Sequence, residues 1–249
     1  MSHVSIPLHE AALFLDLDGT LAPIADRPED VGPSLWRNGL LRRLDRALQG
    51  RLAIVSGRQL DDIDRILDDS VLCVAGVHGL ERRNSFGKLQ SAEAHPQLDR
   101  VYTILESYVA TRPDLHLEFK TLGVALHYRQ APAAAAEVLT VARRLAWATG
   151  MKLQEGRMVV ELRSPGADKG DTVRAFMLEP LFQGAIPIFV GDDITDEDGF
   201  AAVQDLAGAG VLVGAPRETR AIARLDGVGD VLAWIKSSID TGFFELDRR

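Results

Sequence analysis

The stretch Phe14-Leu15-Asp16-Leu17-Asp18-Gly19-Thr20-Leu21 constrains this chain more than any other. An apolar run rich in Leu and Phe, of the kind that forms a strand buried on both faces of a parallel sheet, stops at two acids followed by glycine. Side chains two apart on a strand point the same way, so Asp16 and Asp18 leave the strand end on one side. Two carboxylates forced together repel, and a cation or a shared proton must neutralise them. Carboxylate oxygens with room for water suit Mg²⁺. One acid of such a pair can attack phosphorus while the other handles a proton. A solvated Asp-Gly turn accounts for the dipeptide alone, but not for a buried strand ending in both acids.

Strand-like and helical patterns alternate on either side of this motif. Strands are expected at Ala12–Leu17, Leu52–Val55 and Val71–Val74, with helices over Ser34–Gln49 and Leu60–Leu67 between them. The same rhythm resumes late in the chain. Helical patterns fall at Gly170–Leu178, Glu197–Val203 and around Val228–Ser238, with strands at Pro187–Val190 and Gly210–Val213. Such alternation implies a doubly wound parallel sheet with right-handed crossovers. The middle reads differently. Helices over Leu98–Ala110 and Ala133–Thr149 accompany short strands at His116–Lys120, Val124–Arg129, Lys152–Glu155 and Met158–Arg163, whose narrow gaps suggest antiparallel hairpins. The expectation is an α/β fold: a core from residues 1–91 and 165–249, with an α/β cap inserted over 92–164.

In a doubly wound sheet, chemistry collects beyond the carboxyl ends of the strands. Ser56-Gly57-Arg58 follows the strand at Leu52–Val55, where a hydroxyl and helix-start amides can bind phosphate oxygens and Arg58 adds positive charge. Lys169 opens a predicted helix, a place that disfavours cations unless an anion faces it. A second apolar strand ends in acids at Gly191-Asp192-Asp193-Ile194-Thr195-Asp196. There Asp192 is the best candidate metal ligand, with Asp193 and Asp196 available as a further ligand or a supporting group. Gly-rich cofactor loops and a Walker-type Gly-Lys-Ser/Thr are absent from the sequence.

Taken together, Asp16 and Asp18, Ser56, Lys169, and Asp192 and Asp193 resemble motifs I to IV of the haloacid dehalogenase superfamily of aspartate-nucleophile phosphohydrolases, in that order. Further segments narrow the likeness. Leu21-Ala22-Pro23-Ile24, His116-Leu117-Glu118-Phe119-Lys120, Ala125-Leu126-His127-Tyr128-Arg129 and Val159-Val160-Glu161-Leu162-Arg163-Ser164-Pro165 resemble the trehalose-6-phosphate phosphatase family, roughly from residue 11 to 235. The resemblance implies Mg²⁺-dependent hydrolysis of trehalose 6-phosphate, the last step of trehalose biosynthesis. Asp16 would be the nucleophile and Asp18 the acid and base, with Ser56 and Lys169 on the phosphoryl oxygens. Metal would be held by Asp16, Asp18, Asp192 and Asp193. Substrate contacts would come from Gly19, Arg58 and His78, and from Glu118, Lys120 and Glu161 of the cap, which would close over the distal glucose. Ala75-Gly76-Val77-His78-Gly79 departs from the family's Ala-Glu-His-Gly segment by lacking the Glu. Independently of the likeness, Glu118 and Lys120 share one strand face and Glu161 and Arg163 another, which suits sugar hydroxyls. His127 is given no role.

Other readings remain in view: a phosphatase for sucrose phosphate or mannosyl-phosphoglycerate, or a non-catalytic sugar-phosphate sensor. The acid pair, lysine and metal acids argue against a sensor, which has no need of a nucleophile. With 28 Lys and Arg against 36 Asp and Glu, the net charge of −8 disfavours nucleic acid or an anionic membrane as the main partner. One cysteine, Cys73 in an apolar run, rules out an internal disulfide framework and reads as a buried inert thiol. No apolar stretch approaches ~18 residues and no signal peptide is visible, so the cytoplasm is the expected location. A trehalose-phosphate synthase is the expected functional companion.

Overall fold

The computed structural model describes residues 3–247, and they gather into two compact units. One contains residues up to Gln90 and from Ala167 onward; the other is Ser91–Gly166. In chain order the first unit begins with β1 (His3–Pro7), β2 (Ala11–Leu15), α1 (Leu35–Ala47), β3 (Leu52–Val55), α2 (Leu60–Leu67), β4 (Cys73–Gly76), β5 (Glu81–Arg83) and β6 (Leu89–Ser91). The second unit contributes α3 (Leu98–Val109), β7 (His116–Lys120), β8 (Gly123–His127), α4 (Ala135–Thr149), β9 (Lys152–Gly156) and β10 (Val159–Arg163). The first then resumes with α5 (Lys169–Met177), β11 (Ile186–Gly191), α6 (Glu197–Asp205), β12 (Ala209–Val213), β13 (Ala223–Leu225), α7 (Val228–Thr241) and β14 (Phe243–Asp247).

The larger unit is built on an eight-stranded sheet in the order β13-β12-β11-β2-β3-β4-β5-β6. Strands β13 to β4 pair in parallel, and β5 adds antiparallel to β4. Alternate strand residues feed two separate cores. Leu13, Leu15, Ile54 and Val190 pack with Leu41 of α1, Ile63 of α2 and Ile235 of α7. Phe14, Val55, Phe189 and Leu212 pack with Phe176 of α5 and Phe200 of α6. A sheet covered on both faces needs apolar residues at every position, which is why β2 and β3 read as unbroken hydrophobic runs. Burial pushes the Cys73 thiol up to about 12, so it stays protonated and unreactive.

The first strand ends at Leu15, two residues before the expected Leu17, and the short strands β5, β6 and β13 lie outside the expected elements; two further features also depart from expectation. The third strand lies two residues later than the Val71–Val74 run suggests, at Cys73–Gly76. Asp68 and Asp69 end α2 in left-handed conformations (φ 51° and 49°), and the chain needs Val71 and Leu72 to turn into the sheet, leaving Leu72 half exposed. The second feature is a two-stranded ribbon of β1 and β14, antiparallel, pairing His3 with Asp247 and Pro7 with Phe243.

His3 closes that ribbon. Its Nδ1 lies 3.0 Å from Asp247 Oδ1, and its Nε2 contacts Glu245. Both ring nitrogens can donate only from the imidazolium, and these two hydrogen bonds, Asp247's first, raise its pKa. A raised histidine pKa stabilises the fold fully below the unfolded value of ~6.5 and ceases to do so as pH climbs through the folded value. His3→Gln should therefore lower the melting temperature at about pH 5.5 and leave it nearly unchanged at about pH 8.5. Paired thermal melts check this, and an equal gap at both pH values contradicts it.

The smaller unit is a four-stranded antiparallel sheet in the order β7-β8-β10-β9. Val124, Leu126, Val160 and Leu162 face Val101 and Leu105 of α3 and Val138 and Ala142 of α4 in one apolar cluster. The alternate residues, Glu118, Lys120, Glu161 and Arg163, therefore share the opposite face. Among the described residues, no helix is long and apolar enough to cross a membrane.

Candidate active site

Strand order in the large sheet reverses at β2, with β3 and β4 following on one side and β11, β12 and β13 on the other. A crevice opens beyond the carboxyl ends at such a point. Asp16 directly follows β2 and Asp192 directly follows β11, so both acid motifs arrive there. The pairing is fixed by register: Leu15 lies opposite Val190, and the Asp16 N–H donates to the Val190 carbonyl at 3.0 Å.

Asp16 is 5% exposed, and Lys169 beneath it is 3% exposed. The ammonium donates to Asp16 Oδ1 at 2.9 Å and to Asp196 Oδ1 at 2.6 Å. Lys169 occupies the first turn of α5, where the helix dipole disfavours a cation. Asp168 and Asp171 form a capping box that starts the helix, and the two buried carboxylates supply the missing negative charge. Burial opposes the Lys169 charge, but Asp16 and Asp196 outweigh it and hold the ammonium protonated well above the usual lysine range. Burial in turn pushes the Asp16 carboxyl up, Lys169 pulls it down, and Asp196 and Asp192 push it up again, leaving it raised.

Carboxylate oxygens of Asp16, Asp192 and Asp196 all lie within 4.8 Å of one another. Asp16 and Asp196 share the one ammonium, Asp192 joins them, and the donors the three acids offer are all hard carboxylate oxygens. That donor set fits Mg²⁺, which takes carboxylates while keeping several waters. Gly19 makes the approach possible. It turns with φ +80°, and a Cβ there would lie 2.1 Å from Asp192 Oδ2. Any side chain at position 19 would push the second motif's carboxylate away from the first motif's backbone.

The acids after β11 divide their work in a way that spacing alone left open. Asp196 is fully buried, bonded to Lys169 and, through Oδ2, to the Asp193 N–H at 2.8 Å. The Asp193 carboxylate turns elsewhere and accepts from the Ile194 N–H at 2.7 Å, capping the turn that follows. The clustered third acid is thus Asp196 in place of Asp193. Gly191 permits it, since a Cβ there would meet the Asp196 carboxylate at 2.3 Å.

Asp18 also differs from a simple paired-acid picture. Its carboxylate stands outside the cluster, with both oxygens accepting from Arg58: Nε to Oδ2 at 2.6 Å and Nη2 to Oδ1 at 2.9 Å. Ser56 follows β3, buried, with its Oγ accepting from the Arg58 N–H at 3.3 Å. His78 lies alongside. Its N–H donates to the Ser56 carbonyl at 2.9 Å, and its ring sits so close over Gly57 that a Cβ there would come within 2.7 Å of Nε2. The loop presenting it is strained, because Val77 and His78 both take left-handed backbone angles (φ 47° and 56°). Such a conformation costs about 1–3 kcal/mol for a β-branched residue and concentrates at functional sites.

On the smaller unit, Lys120 and Glu161 form a buried pair, Nζ to Oε2 at 2.7 Å. Burial pushes the Glu118 carboxyl up, but the hydrogen bond it accepts from His127 Nε2 at 2.9 Å and the nearby Lys120 outweigh this and hold it below the usual range. His127, given no role from the sequence, shares the Glu118 face because the turn has two residues: Lys120 lies opposite Gly123, Glu118 opposite Ala125 and His116 opposite His127.

The trehalose-phosphatase family profile matches residues 14–223. Trehalose-6-phosphate phosphatase of Escherichia coli strain K12 is 41% identical over 229 residues, spanning 90% of this chain and 85% of that protein. The crystal structure of a trehalose-6-phosphate phosphatase related protein aligns with a TM-score of 0.79 at 27% identity, covering 93% of this chain and 98% of that one. A haloacid dehalogenase-like hydrolase from Bacteroides thetaiotaomicron shares the fold, with a TM-score of 0.63 at 16% identity over 91% of this chain and 98% of its own.

Proposed function

The chain belongs to the trehalose-phosphatase family of phosphoric monoester hydrolases, and from that premise we propose that it hydrolyses trehalose 6-phosphate to trehalose and phosphate through an aspartyl-phosphate on Asp16. The observation that carries the reading is Asp16 itself, buried at the strand-order reversal and fixed by the Lys169 ammonium at 2.9 Å. A nucleophile needs that fixed aim, and an ionised carboxylate, unlike the Ser56 hydroxyl, can attack phosphorus without first losing a proton.

The Asp16 oxygen attacks in line as the bond from phosphorus to the sugar 6-oxygen breaks. Asp18 gives that oxygen a proton, then takes one from the water that hydrolyses the aspartyl-phosphate, which regenerates Asp16 and releases phosphate. Lys169 and Ser56 hold phosphoryl oxygens. Asp16, Asp192 and the Asp18 backbone carbonyl would hold Mg²⁺, with Asp196 supporting them through Lys169. When bound, the ion offsets the negative charge of the transferring group. His78 is a further substrate contact beside Ser56. The same reading places the enzyme in the cytoplasm after a trehalose-phosphate synthase, at the last step of trehalose biosynthesis.

Residues 92–164 are proposed as the specificity cap, with Glu118, Lys120 and Glu161 reading sugar hydroxyls. Remote binding of this kind aids turnover as well as affinity. Glu118→Gln or Glu161→Gln should therefore cost ~10²-fold or more in kcat/KM on trehalose 6-phosphate. An aryl phosphate has no sugar hydroxyls for them to bind, and its hydrolysis should change little. Gln is the better substitution at 161, because Ala would leave the buried Lys120 ammonium without its carboxylate partner. If both activities fall together, the residues serve the fold and the substrate assignment loses its support.

A further inference from the structure

Arg58 is the residue whose surroundings fit its expected role least. Its side chain is buried, and four of its five N–H groups already reach oxygen. Nε and Nη2 take the two Asp18 oxygens as a fork, at 2.6 and 2.9 Å. Nη1 donates to the Pro28 carbonyl at 2.9 Å and to Asp62. Asp62 lies one turn further along, in α2, and is held in turn by Arg65 Nε at 3.1 Å and Nη2 at 2.5 Å. Burial opposes the Arg58 charge, but its bonds to Asp18 and Asp62 outweigh that and keep it firmly protonated. To bind phosphate as well, the guanidinium would have to give up charge-assisted bonds that it already makes to Asp18 and Asp62.

We infer that Arg58 is a positioning residue that acts through Asp18 and makes no phosphate contact. Asp18 stands on a tight turn with its side chain about one-third exposed, and the fork grips both of its oxygens. The Pro28 and Asp62 bonds anchor the guanidinium from its other side, so the fork keeps its place while Asp18 exchanges partners during turnover. Lysine cannot reproduce this, since a point charge makes no bidentate contact. The inference rests on the reading of Asp18 as acid and base. It adds that the acid's aim is set from the segment between β3 and α2, forty residues away in sequence.

The test compares a sugar 6-phosphate, whose alkoxide leaving group needs a proton, with p-nitrophenyl phosphate, whose leaving group does not. Arg58→Gln should lower kcat/KM on the sugar phosphate by ~10- to 10²-fold and on the aryl phosphate by less than ~3-fold. In an Asp18→Asn background the same change should add less than about twofold, because its effect runs through a group already removed. Arg58→Lys should show the same selectivity with a smaller loss, and it serves as the test if Arg58→Gln proves unstable. Equal losses on both substrates, or losses that add to those of Asp18→Asn, overturn the inference and return Arg58 to the phosphate. If Asp18→Asn itself fails to discriminate between the substrates, the acid and base reading falls, and the inference with it. A selective Asp18→Asn beside an unselective Arg58→Gln overturns the inference alone.

Discussion

Asp16→Asn should reduce turnover of trehalose 6-phosphate by at least ~10³-fold while the protein stays folded. The amide keeps the shape of the carboxylate, and its oxygen can still accept from Lys169 as Asp16 Oδ1 does at 2.9 Å. What it lacks is the anion that attacks phosphorus. It also removes one of three clustered acids, so the melting temperature should hold or rise. Steady-state phosphate release and a thermal melt on the same preparation decide the matter. Activity within tenfold of the parent would show that Asp16 is not the nucleophile.

The second large effect is expected at Lys169. The ammonium lies between Asp16 and Asp196, each of them nearly or fully buried, and is the shared partner of both. Lys169→Met fills the same space but leaves two buried carboxylates facing each other, the circumstance in which breaking an ion pair costs about 3–5 kcal/mol. Turnover should fall at least ~10²-fold as well, because the donor that orients the nucleophile and meets the phosphoryl oxygens is gone. The readouts are denaturant unfolding and phosphate release. A variant as stable as the parent and within a few-fold of its activity would mean that the lysine is a bystander in the pocket.

How much of this could be read beforehand depended on how local each determinant is. Strand β3 and helix α2 begin and end where hydrophobic patterning places them, at Leu52–Val55 and Leu60–Leu67, because burial of one short element is written in its own residues. Strand β4 slipped by two residues because the apolar pair Val71-Leu72 mimics a strand start, while the backbone reversal at Asp68 and Asp69 carries no hydrophobic signal. The ribbon of β1 and β14 was illegible for another reason: each strand finds its partner more than 230 residues away. The chemistry divides in the same way. Asp16, Asp192 and Lys169 stand at ends of elements and were visible as such. Whether Asp193 or Asp196 joins Asp16 depends on one turn of backbone, which the close approach of Asp196 to Gly191 sets. The engagement of Arg58 with Asp18 joins two motifs through space, although Asp62 at i+4 on a helix start was a clue in the sequence. His127 hinged on a two-residue turn at Thr121 and Leu122, where one residue more would have put it on the apolar face.

The most direct measurement is phosphate release from a panel of trehalose 6-phosphate, sucrose 6-phosphate, mannosyl-phosphoglycerate and an aryl phosphate, each with Mg²⁺ and with excess chelator. The kcat/KM for trehalose 6-phosphate should lie at least ~10²-fold above those for the other sugar phosphates, and that activity should be lost in chelator and return on adding Mg²⁺. Preference for another sugar phosphate, no release from any of them, or full activity in chelator would contradict the proposed activity.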